Sequence, residues 1–100
     1  MTRGTTPIQI FKLPFFADEI TTLRITYKQG DNVVLEKTEA DVEKVDRTLR
    51  YMLSQEESLK FDPKYSAFVQ LRCKKRDGSV HATNPKKISV FDVFNEEVLE

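Results

Sequence analysis

Cys73 and His81 are the residue types in this chain best suited to nucleophilic chemistry, and each occurs once. They flank Arg76-Asp77-Gly78-Ser79, a dense turn signal, so a hairpin would lay one across from the other. A thiol beside an imidazole is the raw material of an activated nucleophile. Strand phase argues against that pairing. Cys73 shares its phase with Ala67, Val69 and Leu71, where a thiol packs as a small hydrophobe. His81 alternates with Val80 and Ala82, and points outward if those two point inward. A metal centre needs several His or Cys ligands at defined spacing, which one of each does not supply. No catalytic, metal-binding or cofactor-binding residues are therefore expected.

The carboxylates come in adjacent pairs: Asp18-Glu19, Glu56-Glu57 and Glu96-Glu97. A general acid and its base must face each other across a cleft, whereas neighbours in sequence point apart. These pairs read as solvated surface. Glycines at positions 4, 30 and 78 are too scattered for a phosphate-binding loop. Neither a G-x-S-x-G elbow nor an H-E-x-x-H zinc motif is present.

Basic residues cluster at Lys74-Lys75-Arg76 and Lys86-Lys87. Such clusters meet acidic surfaces or nucleic acid when aromatic side chains interleave them as a stacking platform. None does here, so a charged hairpin tip guarding a sheet edge is expected. Sixteen basic side chains balance sixteen acidic ones. A sequence-independent nucleic-acid binder needs a cation excess, so no nucleic-acid partner is expected. Phe15-Phe16 and the Phe91/Phe94 pair are the conspicuous aromatics. Adjacent aromatics point to opposite sides. Two arrangements satisfy Phe15-Phe16: one ring is an exposed interface anchor, or Phe15 caps the sandwich end while Phe16 enters the core.

The elements that hold these residues follow from period-two alternation. Leu23, Ile25 and Tyr27 alternate with Thr22, Arg24, Thr26 and Lys28, and Gln29-Gly30-Asp31-Asn32 then turns the chain into a return strand through Val33 and Leu35. Leu49, Tyr51 and Leu53 alternate with Thr48, Arg50 and Met52. Ala67 to Lys74 is the cleanest strand, and Val80, Ala82, Ile88 and Val90 carry its return, broken at Asn84-Pro85 because proline cannot donate to a ladder. Between Ile8 and Leu13 the apolar phase changes, from Ile8 and Ile10 to Phe11 and Leu13, which implies a bulge or a strand changing sheets.

Ser54-Gln55-Glu56-Glu57 is a capping box, predicting a short helical crossover near 55–60. For residues 38–47 two readings stand. Thr38 and Asp41 cap a short helix with Val42 and Val45 inward, or Asp41–Val45 is an edge strand before a turn at Asp46-Arg47.

The expected fold is all-β: an Ig-like antiparallel β-sandwich of about seven strands with one helical crossover. A small α+β sheet with one helix is the runner-up. The expected organisation is a flexible N-terminal segment at 1–6 and a single domain at 7–100. One cysteine excludes an internal disulfide. No apolar run approaches the ~18 residues of a membrane span, and the N-terminal residues lack an apolar signal core, so neither a membrane partner nor secretion is expected.

A set of segments resembles a known family. It comprises Met1-Thr2-Arg3-Gly4-Thr5-Thr6-Pro7, Phe11-Lys12-Leu13-Pro14-Phe15, Ile25-Thr26-Tyr27-Lys28-Gln29-Gly30 and Leu35-Glu36-Lys37. Leu53 to Phe61, Val69-Gln70-Leu71-Arg72, Asp77-Gly78 and Asn95-Glu96-Glu97-Val98 complete it. This order is similar to small uncharacterised proteins of phages and prophages of gut Firmicutes, across essentially the whole chain. The order of elements is also similar to the N-terminal sandwich domain of phage baseplate upper proteins. The resemblance implies a non-catalytic virion or tail-assembly structural module acting through protein–protein contacts, with itself or with other tail proteins. It implies residence in the host cytoplasm during assembly and then in the virion. Two other classes stand beside it: a small soluble adaptor or inhibitor of a host protein, and an enzyme using Cys73 and His81.

Overall fold

The computed structural model describes all residues from Met1 to Glu100. In chain order the strands are β1 (Ile8–Lys12), β2 (Ile20–Gln29), β3 (Asn32–Thr38), β4 (Glu43–Val45) and β5 (Thr48–Met52). The helix α1 (Gln55–Leu59) follows, then β6 (Ala67–Lys75), β7 (Val80–Ala82) and β8 (Lys86–Ile88). Antiparallel pairing sorts them into two sheets. One has the order β1-β5-β4. The other has the order β3-β2-β6-β7, with β8 also paired to β6. The chain is thus an all-β antiparallel sandwich with a single short helix, and eight strands stand where about seven were expected.

Alternation builds the interior as the sequence requires. Leu23, Ile25 and Tyr27 of β2, Ala67, Val69, Leu71 and Cys73 of β6, and Leu49 and Tyr51 of β5 with Leu53 beyond it are all buried in one cluster. The inner faces of both sheets meet there, which is how a sandwich buries two apolar layers at once. Tyr27 meets Phe61 edge-on at 5.6 Å between centroids, and Phe11 stacks over Tyr51 at 6.3 Å.

The tight turns fall where expected. Gly30 and Gly78 take φ of 60° and 88°, a region that costs a side chain but not a glycine. Ser54 caps α1: its hydroxyl accepts from the Glu57 N–H at 3.1 Å, and the Glu57 carboxylate accepts from the Ser54 N–H at 2.9 Å. Both readings of 38–47 hold in part. A single 3-10 turn at Glu39–Asp41 carries the Thr38/Asp41 box, and β4 follows as an edge strand before a turn at Asp46, whose φ is 51°. Val45 lies exposed rather than inward. The break at Asn84-Pro85 separates β7 from β8, which pair different parts of β6. Thr83 bridges the gap: its hydroxyl accepts from the Leu71 N–H, and its carbonyl accepts from the Gln70 side chain.

Two expectations are corrected. The phase change in β1 is not a bulge. The strand pairs β5 in unbroken register, with Phe11 turned inward while Ile8 and Ile10 face solvent. Residues 1–6, expected to be a flexible segment, are docked. Arg3 is buried and donates to Asp92 and Glu96, each at 2.6 Å, and to the Leu59 carbonyl at 2.9 Å. Backbone bonds from Arg3 to Phe91 and from Phe91 to Met1 complete the join. A guanidinium that gains three oxygen partners offsets the entropy of ordering the segment.

Candidate interaction surfaces

The hairpin does bring Cys73 and His81 opposite each other, as register partners on β6 and β7. Side-chain direction is the reverse of the one expected. Val80 and Ala82 lie opposite Lys74 and Arg72 on the outer face, so His81 shares the Cys73 side of the sheet. Both line a cavity of about 130 Å³ with Leu13, Phe15 and Thr83. The imidazole nevertheless serves other contacts. It tilts against Phe15 at 5.2 Å, and Nε2 lies 3.2 Å from the Ser79 hydroxyl. Burial pushes the Cys73 thiol up from its ordinary pKa, with the His81 backbone N–H and the Lys75 charge pulling weakly the other way. A raised thiol is the opposite of an activated nucleophile.

The other predicted groups disperse. Lys75 of the first basic cluster turns inward, with its ammonium 4.7 Å above the Phe15 ring and 3.9 Å from Glu19. Arg76 bonds the Asp18 carbonyl, and Lys74 faces outward. Glu57 is taken by Lys37 at 2.5 Å, and Glu96 by Arg3. Of the two adjacent aromatics, Phe16 is exposed, under the Arg47 guanidinium at 4.8 Å, and Phe15 is half-buried. Phe16 therefore does not enter the core. No cluster of three or more His, Cys, Asp or Glu is placed to hold a metal ion, and no helix is long and apolar enough to cross a membrane.

Two surfaces stand out instead. On the outer face of the three-stranded sheet, Ile8 lies opposite Met52, and Ile10 opposite Arg50. Ile8, Ile10 and Met52 expose 52%, 59% and 56% of their surface. The β1 phase change was their signal: an apolar pair out of step with Phe11 and Leu13 belongs to the wrong face for a core.

The outer face of the larger sheet is cationic. Arg24 lies opposite Arg72, Thr22 opposite Lys74, and Phe68 lies between Lys28 and Lys87. Arg24 reaches Glu39 at 3.4 Å, while Lys28, Arg72, Lys74 and Lys87 have no carboxylate within 4 Å. The polar phases of β2 and β6 carry these residues in the sequence, apart from Lys87, which β8 supplies. Their concentration became visible once the register set one strand beside the other.

No protein-family model and no curated protein matches the chain. Among solved structures it is similar to the V domain of amphioxus IgVJ-C2, with a TM-score of 0.38 and 12% sequence identity, over 90% of this chain and 96% of that one. A likeness this loose bears on neither partner nor chemistry.

Proposed function

We propose that the chain is a non-catalytic structural module of a phage or prophage, working in the virion or in tail assembly through protein–protein contacts. The observation that carries the contact part of this reading is the row Ile8, Ile10 and Met52 on a regular, solvent-facing sheet surface. Apolar side chains gathered on one rigid face lose less entropy on docking than the same residues on a loop, and they gain by leaving water. The phage part rests on the family resemblance. The raised Cys73 thiol and the engaged His81 ring support the non-catalytic part. In this reading the protein is made in the host cytoplasm and enters or builds the particle there.

Mass spectrometry of purified particles and of tail-assembly intermediates tests the proposal. The chain is expected in one or both at stoichiometric level. Its absence from both, with a host-lysate pull-down recovering one stoichiometric host protein, overturns the proposal in favour of a soluble adaptor or inhibitor.

A further inference from the structure

We infer that the cationic outer face of the larger sheet receives the acidic C-terminal stretch of a second copy of this chain. The inference rests on the reading that the protein works through protein–protein contacts, and it names one partner and the surface that meets it.

The face itself is electrostatically incomplete. Arg24 and Arg72 are direct cross-strand partners on the two most extensively paired strands, and like charges in that position repel. Lys74 follows along β6, and Lys28 and Lys87 flank the far end. Glu36 of β3, which accepts from the Thr26 hydroxyl, and Glu39 just beyond β3, which reaches Arg24, are the acids along one edge of this face. Two shallow depressions mark the surface. One, of about 330 Å³, is lined by Arg24, Arg72, Lys74 and Val80, and the other, of about 450 Å³, by Lys28, Phe68 and Gln70. Each combines cations or amides with an exposed apolar side chain.

The chain as a whole is neutral, so its acids must gather elsewhere. From Ser89 to Glu100 there is no Lys or Arg, while Asp92, Glu96, Glu97 and Glu100 fall in that stretch. Phe94 and Leu99 are exposed within it. The stretch therefore presents the complement of the sheet face: carboxylates interleaved with apolar side chains. It does not serve its own sheet. Arg3 holds Asp92 and Glu96, and the Gln55 side chain makes paired bonds with the Leu99 backbone at 2.8 Å. Glu97 and Glu100 make no ion pair.

Glu97 and Glu100, unpaired on their own copy, are the carboxylates available to a neighbour's sheet. Two different surfaces meet in such a contact, so the association closes as a ring, a reciprocal exchange between two copies being the smallest, or extends into a filament. A protein strand is favoured over nucleic acid because Phe68 is the one aromatic on the face, and stacking readers present several.

Sedimentation velocity of the full chain over a range of concentrations tests this. Self-association is expected at low ionic strength, with a loss of about tenfold or more in association constant at high salt. Arg72→Glu/Lys74→Glu and Glu97→Lys/Glu100→Lys each abolish it, and mixing the two variants restores a complex because the reversed charges match. All four positions are exposed, and circular dichroism checks that each variant is folded. A wild-type chain that stays monomeric at every concentration in low salt overturns the inference. So does association indifferent to salt and to both variants but lost in Ile8→Ser/Ile10→Ser, an outcome that leaves the proposed function standing. Binding of a single-stranded RNA oligonucleotide, lost in Arg72→Glu/Lys74→Glu with no self-association in the wild type, overturns it in favour of a nucleic-acid face. Failure of the proposed function is read separately, from the composition of the particle.

Discussion

The hydroxyls of Tyr27 and Tyr51 bond to each other inside the sandwich, one from each sheet. Both side chains are buried. The bond joins the layers at a point where shape alone would let them slide, because a hydroxyl enclosed by apolar neighbours has one direction in which it is satisfied.

Tyr51→Phe removes one partner and leaves the other hydroxyl buried without a bond. A loss of about 1–3 kcal/mol is expected, and the same for Tyr27→Phe. The double variant removes both hydroxyls together and is expected to be less destabilised than the sum of the two. Urea unfolding of all four proteins gives the coupling directly, and additivity would refute the pairing.

Burial holds both phenols in the neutral form. Tyr27 is pushed up to about 12, by burial first, against the opposing bond from Tyr51, and with a small contribution from the Glu57 charge. Tyr51 is raised as well, by burial and then by Tyr27. An acid whose folded pKa is raised binds more protons folded than unfolded above its ordinary value of 10.0, so stability falls as pH climbs from about 10 towards 12. Unfolding midpoints across that range should drop steeply, and the drop should be smaller in the double Phe variant. Equal slopes in the two proteins would show that these phenols are not the cause.

Lys37 and Glu57 form the second enclosed contact. The Lys37 side chain is 10% exposed and that of Glu57 23%. Burial raises the Glu57 pKa, but the Lys37 ammonium and the Ser54 N–H outweigh it and hold the carboxyl below its ordinary value of 4.5. The contribution is complete above that value and is lost as pH falls below it. Glu57→Gln should cost about 1–3 kcal/mol at neutral pH, because Lys37 is left enclosed and the capping box is weakened. It should also flatten the acid limb of the stability curve. An unaltered acid limb would exclude Glu57 as its source.

Cys73 is buried with a raised pKa, so alkylation at neutral pH must wait for the sheet to open. Iodoacetamide labelling of the native protein is expected to be slower than labelling in urea by at least about a hundredfold. Rapid native labelling would mean an accessible thiolate and would reopen the nucleophilic reading with His81.

Much of this fold was legible because its strands are half-buried, so one face is written in Leu, Ile, Tyr and Val and the other in Thr, Arg and Lys. Leu23, Leu53 and Val69 are buried as that alternation demands. The capping box at Ser54 and Glu57 is a local signal with a local cause, and it was equally readable. The failures were non-local. Ile8 and Ile10 looked like core residues out of phase, since hydropathy does not say which side of a strand is left to solvent. His81 was assigned a direction from Val80 and Ala82, two apolar residues that lie on the outer face of an edge strand. The opposition of Arg24 and Arg72 depends on register between segments far apart in sequence. The docking of residues 1–6 hinged on one arginine whose three partners lie 56, 89 and 93 residues away.

That arginine is a clamp between the two ends of the chain. Its guanidinium reaches Asp92, Glu96 and the Leu59 carbonyl at once, a fork that a single ammonium cannot reproduce. Arg3→Ala should therefore release the ends while leaving the sandwich intact. Amide exchange is the suitable measurement: the Phe91 N–H, bonded to the Met1 carbonyl, should lose at least about tenfold in protection, and the Arg3-position N–H, bonded to the Phe91 carbonyl, should follow. Amides in the β2–β6 ladder should change far less. Arg3→Lys should fall between the two. The Asp92 carboxyl sits below its ordinary range, held there by the Val93 N–H and then by Arg3. Acidification through that lowered range removes its charge, so the wild type should lose protection at Phe91 as the Arg3→Ala protein does at neutral pH. Unchanged protection at Phe91 in Arg3→Ala would mean that the ends are held by their backbone bonds, and the clamp would have to be abandoned.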